Sequence, residues 1–132
     1  MERLIVDTGV LVALERGGTP LADTIPDDAD LALAAVTAAE LLVGVEFADD
    51  QRRPRRMASV EGMLAGIPVI PYDLTVAREH ARLLAHTCRT GRPRGAHDLQ
   101  IAATAATTRR AILTTDAQAF DGLPGIDARV VS

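Results

Sequence analysis

The sequence predicts an α/β fold around a central, mostly parallel sheet of four to five strands. Two observations carry that prediction. Short apolar runs of strand length recur at residues 4–6, 30–36, 67–70, 111–115 and 128–131. Between most of them lie longer Ala- and Leu-rich stretches, and strands that alternate with helices build parallel sheets.

Leu4–Val6 is the first strand, and a helix follows from about Thr8 to Glu15, ended by "RGG". Thr19, with Pro20 at the first helical position, predicts a short helix in "TPLADTIPDD". "DLALAAV" (30–36) is the second strand, and Thr37 opens a helix to about Ala48. A further helix runs roughly from Arg55 to Ala65, and "IPVI" (67–70) is a third short strand. Thr75 caps a long helix on which Val76, His80, Leu83, Leu84 and Thr87 share an apolar face; His80 is expected to pack there, and Cys88 to be a small core residue. "TGRPRGAH" is a loop, and Asp98 to Thr108 is apolar on nearly every side, as in a buried helix. "AILTT" (111–115) is the fourth strand, "DAQAF" a turn, and "ARVV" (128–131) an edge strand.

A chain of 132 residues suits one domain, 1–132, and can bury a core without staples. The one cysteine excludes an internal disulfide, and no Cys or His cluster has zinc spacing. No signal-peptide pattern opens the sequence, and no apolar run approaches the roughly 20 residues of a membrane span. The expectation is a cytoplasmic protein with no membrane partner. Net charge is −4, yet every one of the 14 basic residues is Arg, and two clusters stand out, "QRRPRR" (51–56) and "RTGRPRG" (89–95). A local basic stripe can hold phosphates on an acidic protein, although each cluster also reads as a solvated helix end or loop. Aromatic content of 2% rules out base stacking as the main way of recognising nucleic acid.

The acidic residues carry the chemistry. Asp7 stops an apolar run, where a carboxylate costs desolvation energy unless something pairs with it. Ligands of open α/β sheets gather at the carboxyl ends of the strands. Asp7 follows strand one, Glu40 lies in the first turn after strand two, Asp98 opens the buried helix and Asp116 follows strand four. Each has a local alternative. Thr37-Ala-Ala-Glu40 reads as a capping box, Asp98 suits a helix dipole, and Asp116 can cap a turn. Four coincidences favour one acidic cup. Carboxylates so gathered repel, and a hard divalent cation, Mg²⁺ or Mn²⁺, relieves the repulsion. Such ions activate water and stabilise phosphoryl charge, which points to phosphodiester hydrolysis. Thr8 and Thr114 flank these acids and can orient a carboxylate, or can be ordinary strand-end threonines.

Four stretches, "LIVDTGVLVAL", "AAVTAAELLVGV", "GRPRGAHDLQIAATA" and "AILTTDAQAFDGLPGI", resemble in order the PIN-domain ribonucleases, most closely the VapC-type toxins of bacterial toxin–antitoxin pairs. The resemblance implies a three-layer α/β/α fold and Mg²⁺- or Mn²⁺-dependent RNA cleavage. It implies Asp7, Glu40, Asp98 and Asp116 as the acidic site, a homodimer pairing two sites across a basic groove, a cognate antitoxin that blocks the site, and tRNA or rRNA as the substrate class. Arg92 and Arg94, just before Asp98, would stand at the mouth of the site and contact RNA. Two positions depart from the family's pattern. Gly9 stands where Ser or Asn is common, and Ala119 where an acid often precedes the Phe, with Asp121 on its other side.

Other classes fit less of the chain. "DTG" is also an aspartic-protease signature, but those enzymes are all-β, which the helical periods of 37–48, 75–90 and 98–108 contradict. Aspartyl-phosphate phosphatases and receiver domains need a Lys, and there is none; P-loop and G-x-G-x-x-G devices are also absent. The alternative from a different class is a non-catalytic PIN-like interaction module, whose apolar helices grip a partner helix.

Overall fold

The computed structural model describes residues 1–16 and 25–131. The short helix expected from Thr19 and Pro20 falls largely outside them. Strands β1 (Arg3–Val6), β2 (Asp30–Ala34), β3 (Val69–Ile70), β4 (Ala111–Thr114) and β5 (Ala128–Val130) form one sheet in the order β3-β2-β1-β4-β5. Every pairing is parallel. Among the described residues, five helices connect or flank them: α1 (Thr8–Glu15), α2 (Ala35–Glu46), α3 (Arg53–Gly66), α4 (Leu74–Thr90) and α5 (Ala96–Thr108). None is long and apolar enough to cross a membrane.

The three layers follow from the two-residue period of a strand. Ile5, Ala34 and Ile112 point to one side, into a core with Val76 and Leu83 of α4 and Leu99, Ile101 and Ala102 of α5. Their neighbours Leu4, Val6, Leu33 and Leu113 point to the other, against Val10, Leu11, Leu41, Val45 and Val60 of α1, α2 and α3. A sheet covered on both faces explains why the strands read as continuous apolar runs. It also explains the composition of α5, in which Leu99, Ile101, Ala102, Ala103, Thr104 and Ala105 are all buried.

The amino end of the sheet is closed by paired charges. The Arg110 side chain, only 9% exposed, donates through Nη1 to Asp30 Oδ1 at 3.0 Å, to the Asp30 carbonyl at 2.7 Å and to the Leu4 carbonyl at 3.2 Å. Arg3 reaches the same aspartate and the Thr108 carbonyl.

Several local expectations are corrected. Helix α2 begins at Ala35 rather than Thr37, so Thr37 lies inside the helix, fully buried with an unpartnered hydroxyl, and Glu40 falls in the second turn. No capping box forms there. The cap of α4 is Asp73, whose carboxylate accepts from the Val76 N–H at 3.0 Å; Thr75 is already helical. On α4, Val76, Leu83 and Thr87 are buried, but Leu84 is 46% exposed. His80 is partly exposed and shares a 2.7 Å hydrogen bond with the Tyr72 hydroxyl, and Cys88 is exposed rather than in the core.

Candidate active site

The order β3-β2-β1-β4-β5 places a topological switch between β1 and β4. From β1 the chain winds outward through β2 and β3, then crosses back to β4 and β5 on the other side. The crevice outside the carboxyl ends of β1 and β4 is where such sheets bind ligands. Asp7 ends β1 there and Asp116 lies two residues beyond β4.

Asp7 is half-buried and both of its oxygens are held. Oδ1 accepts from the Thr8 N–H at 2.8 Å, which makes Asp7 the N-cap of α1. Oδ2 accepts from the Thr114 hydroxyl at 2.9 Å. Thr114 is fully buried, and its hydroxyl in turn accepts from the Asp116 N–H at 3.0 Å. With its lone pair engaged by one residue and its proton by the other, this hydroxyl ties Asp7 to Asp116 with a fixed direction. The Asp116 carboxylate is exposed and accepts from the Gln118 N–H at 2.9 Å, so it also shapes its own turn.

Glu40 arrives from α2. Its Oε1 accepts from the Thr8 hydroxyl at 3.1 Å, and His97 Nδ1 stands 3.6 Å from its Oε2. Thr8 and Thr114 therefore each orient one carboxylate. Asp98 lies in the first turn of α5, half-buried, behind Gly95; a Cβ on that glycine would come within 3.2 Å of Asp98 Oδ2.

The carboxylates sense one another. Burial raises the pKa of Asp7 above its ordinary 3.8; the bonds from Thr114 and Thr8 oppose the rise, and the charges of Glu40 and Asp116 add to it. Burial likewise raises that of Asp98, reinforced by Asp7, Asp116 and Glu40 and eased by His97. Among the described residues, no arginine forms an ion pair with any of the four acids. Nor do three or more His, Cys, Asp or Glu side chains close into a ready-made metal cage there. The donors on offer are nonetheless all carboxylate oxygens, the set that suits a hard divalent cation rather than zinc or copper.

Two features escaped the sequence reading. Gly9 lies close under Thr115: a Cβ there would come 2.7 Å from the Thr115 hydroxyl, which would have to turn away. A Gly in the first turn of a helix, where Ala is favoured by about 1 kcal/mol in interior positions, was the available signal. Arg94 does not reach into solvent but donates to the main-chain carbonyls of Gln118 and Asp121. Arg92 and Asp121 are exposed.

A parallel sheet covered on both faces, with carboxylates at its switch point, makes this a three-layer α/β/α domain with an acidic site. A PIN-domain family model matches residues 4–125, and the chain belongs to that family. The ribonuclease VapC5 of Mycobacterium tuberculosis is 36% identical over 126 residues, 93% of this chain and 91% of the relative. A tRNA(fMet)-specific endonuclease VapC of Shigella flexneri is 31% identical over 96 residues, 73% and 71% of the two chains. Among solved structures, a member of the VapBC family of toxin–antitoxin systems, VapBC-5 from M. tuberculosis, superposes with a TM-score of 0.82 at 34% identity, covering 99% of this chain and all of the other.

Proposed function

We propose that this chain is a metal-dependent endoribonuclease toxin of a toxin–antitoxin pair, hydrolysing RNA phosphodiester bonds of the tRNA or rRNA class at Asp7, Glu40, Asp98 and Asp116. The observation that carries the reading is the set of four mutually repelling carboxylates at the switch point, two of them half-buried with raised pKa and none paired with an arginine among the described residues. Such a cup repels an RNA phosphate unless a cation is present. Mg²⁺ or Mn²⁺, when bound, supplies positive charge to the phosphoryl group and acidity to water. The chain's own part is to hold the ligands. Thr114 and the Thr8 N–H fix both oxygens of Asp7, and the Thr8 hydroxyl fixes Glu40. Arg92, exposed just before α5, is assigned as a phosphate contact.

The relatives' names and the VapBC neighbours support an antitoxin as partner. Leu42 and Val43 of α2, with Phe47 just after it, are exposed and offer that partner an apolar surface. Tyr72, Leu74 and Leu84 are also exposed, apolar surface available to the homodimer implied by the family resemblance. A cytoplasmic setting keeps the exposed Cys88 reduced.

The test is cleavage of total RNA by the purified protein and by Asp7→Asn, with Mg²⁺, with Mn²⁺ and with chelator. The expected outcome is metal-dependent cleavage that falls more than about 100-fold in the variant, beyond the usual cost of changing a residue that merely supports a ligand. Mn²⁺ should raise the melting temperature of the wild type and not of Asp7→Asn. Absence of both cleavage and the Mn²⁺ shift would favour the interaction module instead.

A further inference from the structure

The second basic cluster of the sequence has a use of its own in the structure. Arg94 lies in the five-residue connection between α4 and α5. That connection leaves α4 through Gly91, a left-handed cap with φ 66°, and enters α5 through Gly95, three residues before Asp98. The Arg94 guanidinium turns away from solvent. Nη1 donates to the Gln118 carbonyl at 2.5 Å and Nη2 to the Asp121 carbonyl, so one side chain grips two points of the turn that follows Asp116. Its Nε is buried without a partner, a cost the other two bonds must offset. Gly122 makes room for the grip. Its φ is +77°, and a Cβ there would stand 3.3 Å from Arg92 Nη1 and 3.7 Å from Arg94 Nη2.

The turn packs Ala119, Phe120 and Leu123 into the core shared with Leu99 and Ile101 of α5, but it has few other hydrogen-bonded anchors. The Asp116 N–H bonds to Thr114, the Gln118 N–H to Asp116 itself, and the Leu123 N–H to the Phe120 carbonyl at 3.3 Å. Phe120 and Leu123 are buried beneath it. None of these hydrogen bonds ties the turn to the segment that carries Asp98. Arg94 does.

We propose that Arg94 is a positioning residue that staples the Asp116 turn to the start of α5 and so sets the separation of Asp116 from Asp98. This rests on the reading of those two acids as metal ligands. A guanidinium suits the task because its donors sit on separate nitrogens in a rigid plane and can reach two carbonyls at once, whereas a lysine ammonium is a point charge on a flexible stem. Arg94 is thereby withdrawn from phosphate contact, and Arg92 is left to face the RNA.

The experiment compares wild type with Arg94→Ala, Arg94→Lys and Arg92→Ala. Amide hydrogen exchange on the metal-free proteins reads the turn directly and does not depend on nuclease activity. In Arg94→Ala the amides of Asp116, Gln118 and Leu123 should exchange faster while those of α5 keep their protection. The Mn²⁺ concentration giving half the maximal rise in melting temperature should increase about tenfold, the usual scale for residues that orient ligands. On RNA, kcat should fall with KM and the salt dependence of binding unchanged. Arg94→Lys, which keeps the charge and stem and guards against a variant that does not fold, should lie between. Arg92→Ala should leave exchange and Mn²⁺ alone but lower the salt slope of RNA binding by about one. Unchanged exchange in Arg94→Ala would overturn the staple. So would an unchanged Mn²⁺ response with a reduced salt slope, which would make Arg94 a phosphate contact. A wild type that cleaves no RNA would strike the nuclease reading alone, because exchange and Mn²⁺ titration still decide the role of Arg94.

Discussion

The two ends of the sheet handle charge in opposite ways. At the amino end, opposite charges are paired: Arg110 and Arg3 hold Asp30, and Arg129 holds Glu2 and Asp127. At the carboxyl end, Asp7, Glu40, Asp98 and Asp116 repel one another, with His97 beside Glu40 as their one basic neighbour among the described ion pairs. The first arrangement ties β1, β2 and the end of α5 together. The second stores repulsion and leaves the acids without an arginine partner among the described residues. Pairing therefore stabilises the amino end of the sheet, and repulsion among acids weakens the carboxyl end.

The largest expected stability effect comes from breaking the amino end. Arg110→Ala should strip two carbonyls and Asp30 of their shared donor and lower stability by about 2 kcal/mol, less than the 3–5 kcal/mol of a fully buried pair because Asp30 keeps Arg3 and some solvent. Chemical denaturation checks the loss. Cleavage per folded molecule should stay at the wild-type level, since the site is at the other edge.

The converse change should do the opposite. Asp98→Asn removes a half-buried charge from a repelling group, so the metal-free protein should melt a few degrees higher at neutral pH while losing cleavage. The sign follows from linkage. Asp7 and Asp98 have raised folded-state pKa values, so in the window between the ordinary 3.8 and those raised values the folded protein binds more protons than the unfolded chain. Their contribution to stability is therefore present at low pH and is lost as pH rises through that window. A melting series without metal should show this loss in the wild type, reduced in Asp98→Asn, and Mn²⁺ should restore stability above the window in the wild type only.

Smallest of all should be Arg129→Ala. Its pairs join half-exposed side chains, linking edge strand β5 to Glu2 just before β1 and to Asp127, and such pairs are worth about 0–1 kcal/mol. A melting shift comparable to that of Arg110→Ala would mean that the amino end is held as a cooperative network rather than by its one buried arginine.

Much of the fold was written locally. Apolar runs marked the strands, the loop "TGRPRGAH" marked the end of α4, and the uniform apolarity of 98–108 marked a buried helix. The helix starts were misplaced where capping residues competed. Thr37 resembled a cap but lies inside a helix that leaves β2 without a break, and Asp73 was passed over for Thr75. Asp7, Asp98 and Asp116 stood out because each sits where a strand ends or a helix begins, whereas Glu40 lies in the second turn of α2.

By itself the sequence determined the alternation of strand and helix, the acids at their junctions and the shortage of aromatics that limits how RNA can be read. Tertiary structure alone decided which groups meet. Thr114 and Asp7 are 107 residues apart and Thr8 and Glu40 are 32 apart, yet their hydrogen bonds define the site. Arg94 read as a basic loop residue until the chain brought the Asp116 turn beneath it. The physical reason is that a local pattern specifies which face is apolar and where a helix can start. The partner of a polar group is fixed only when parallel strands from distant parts of the chain are brought into register.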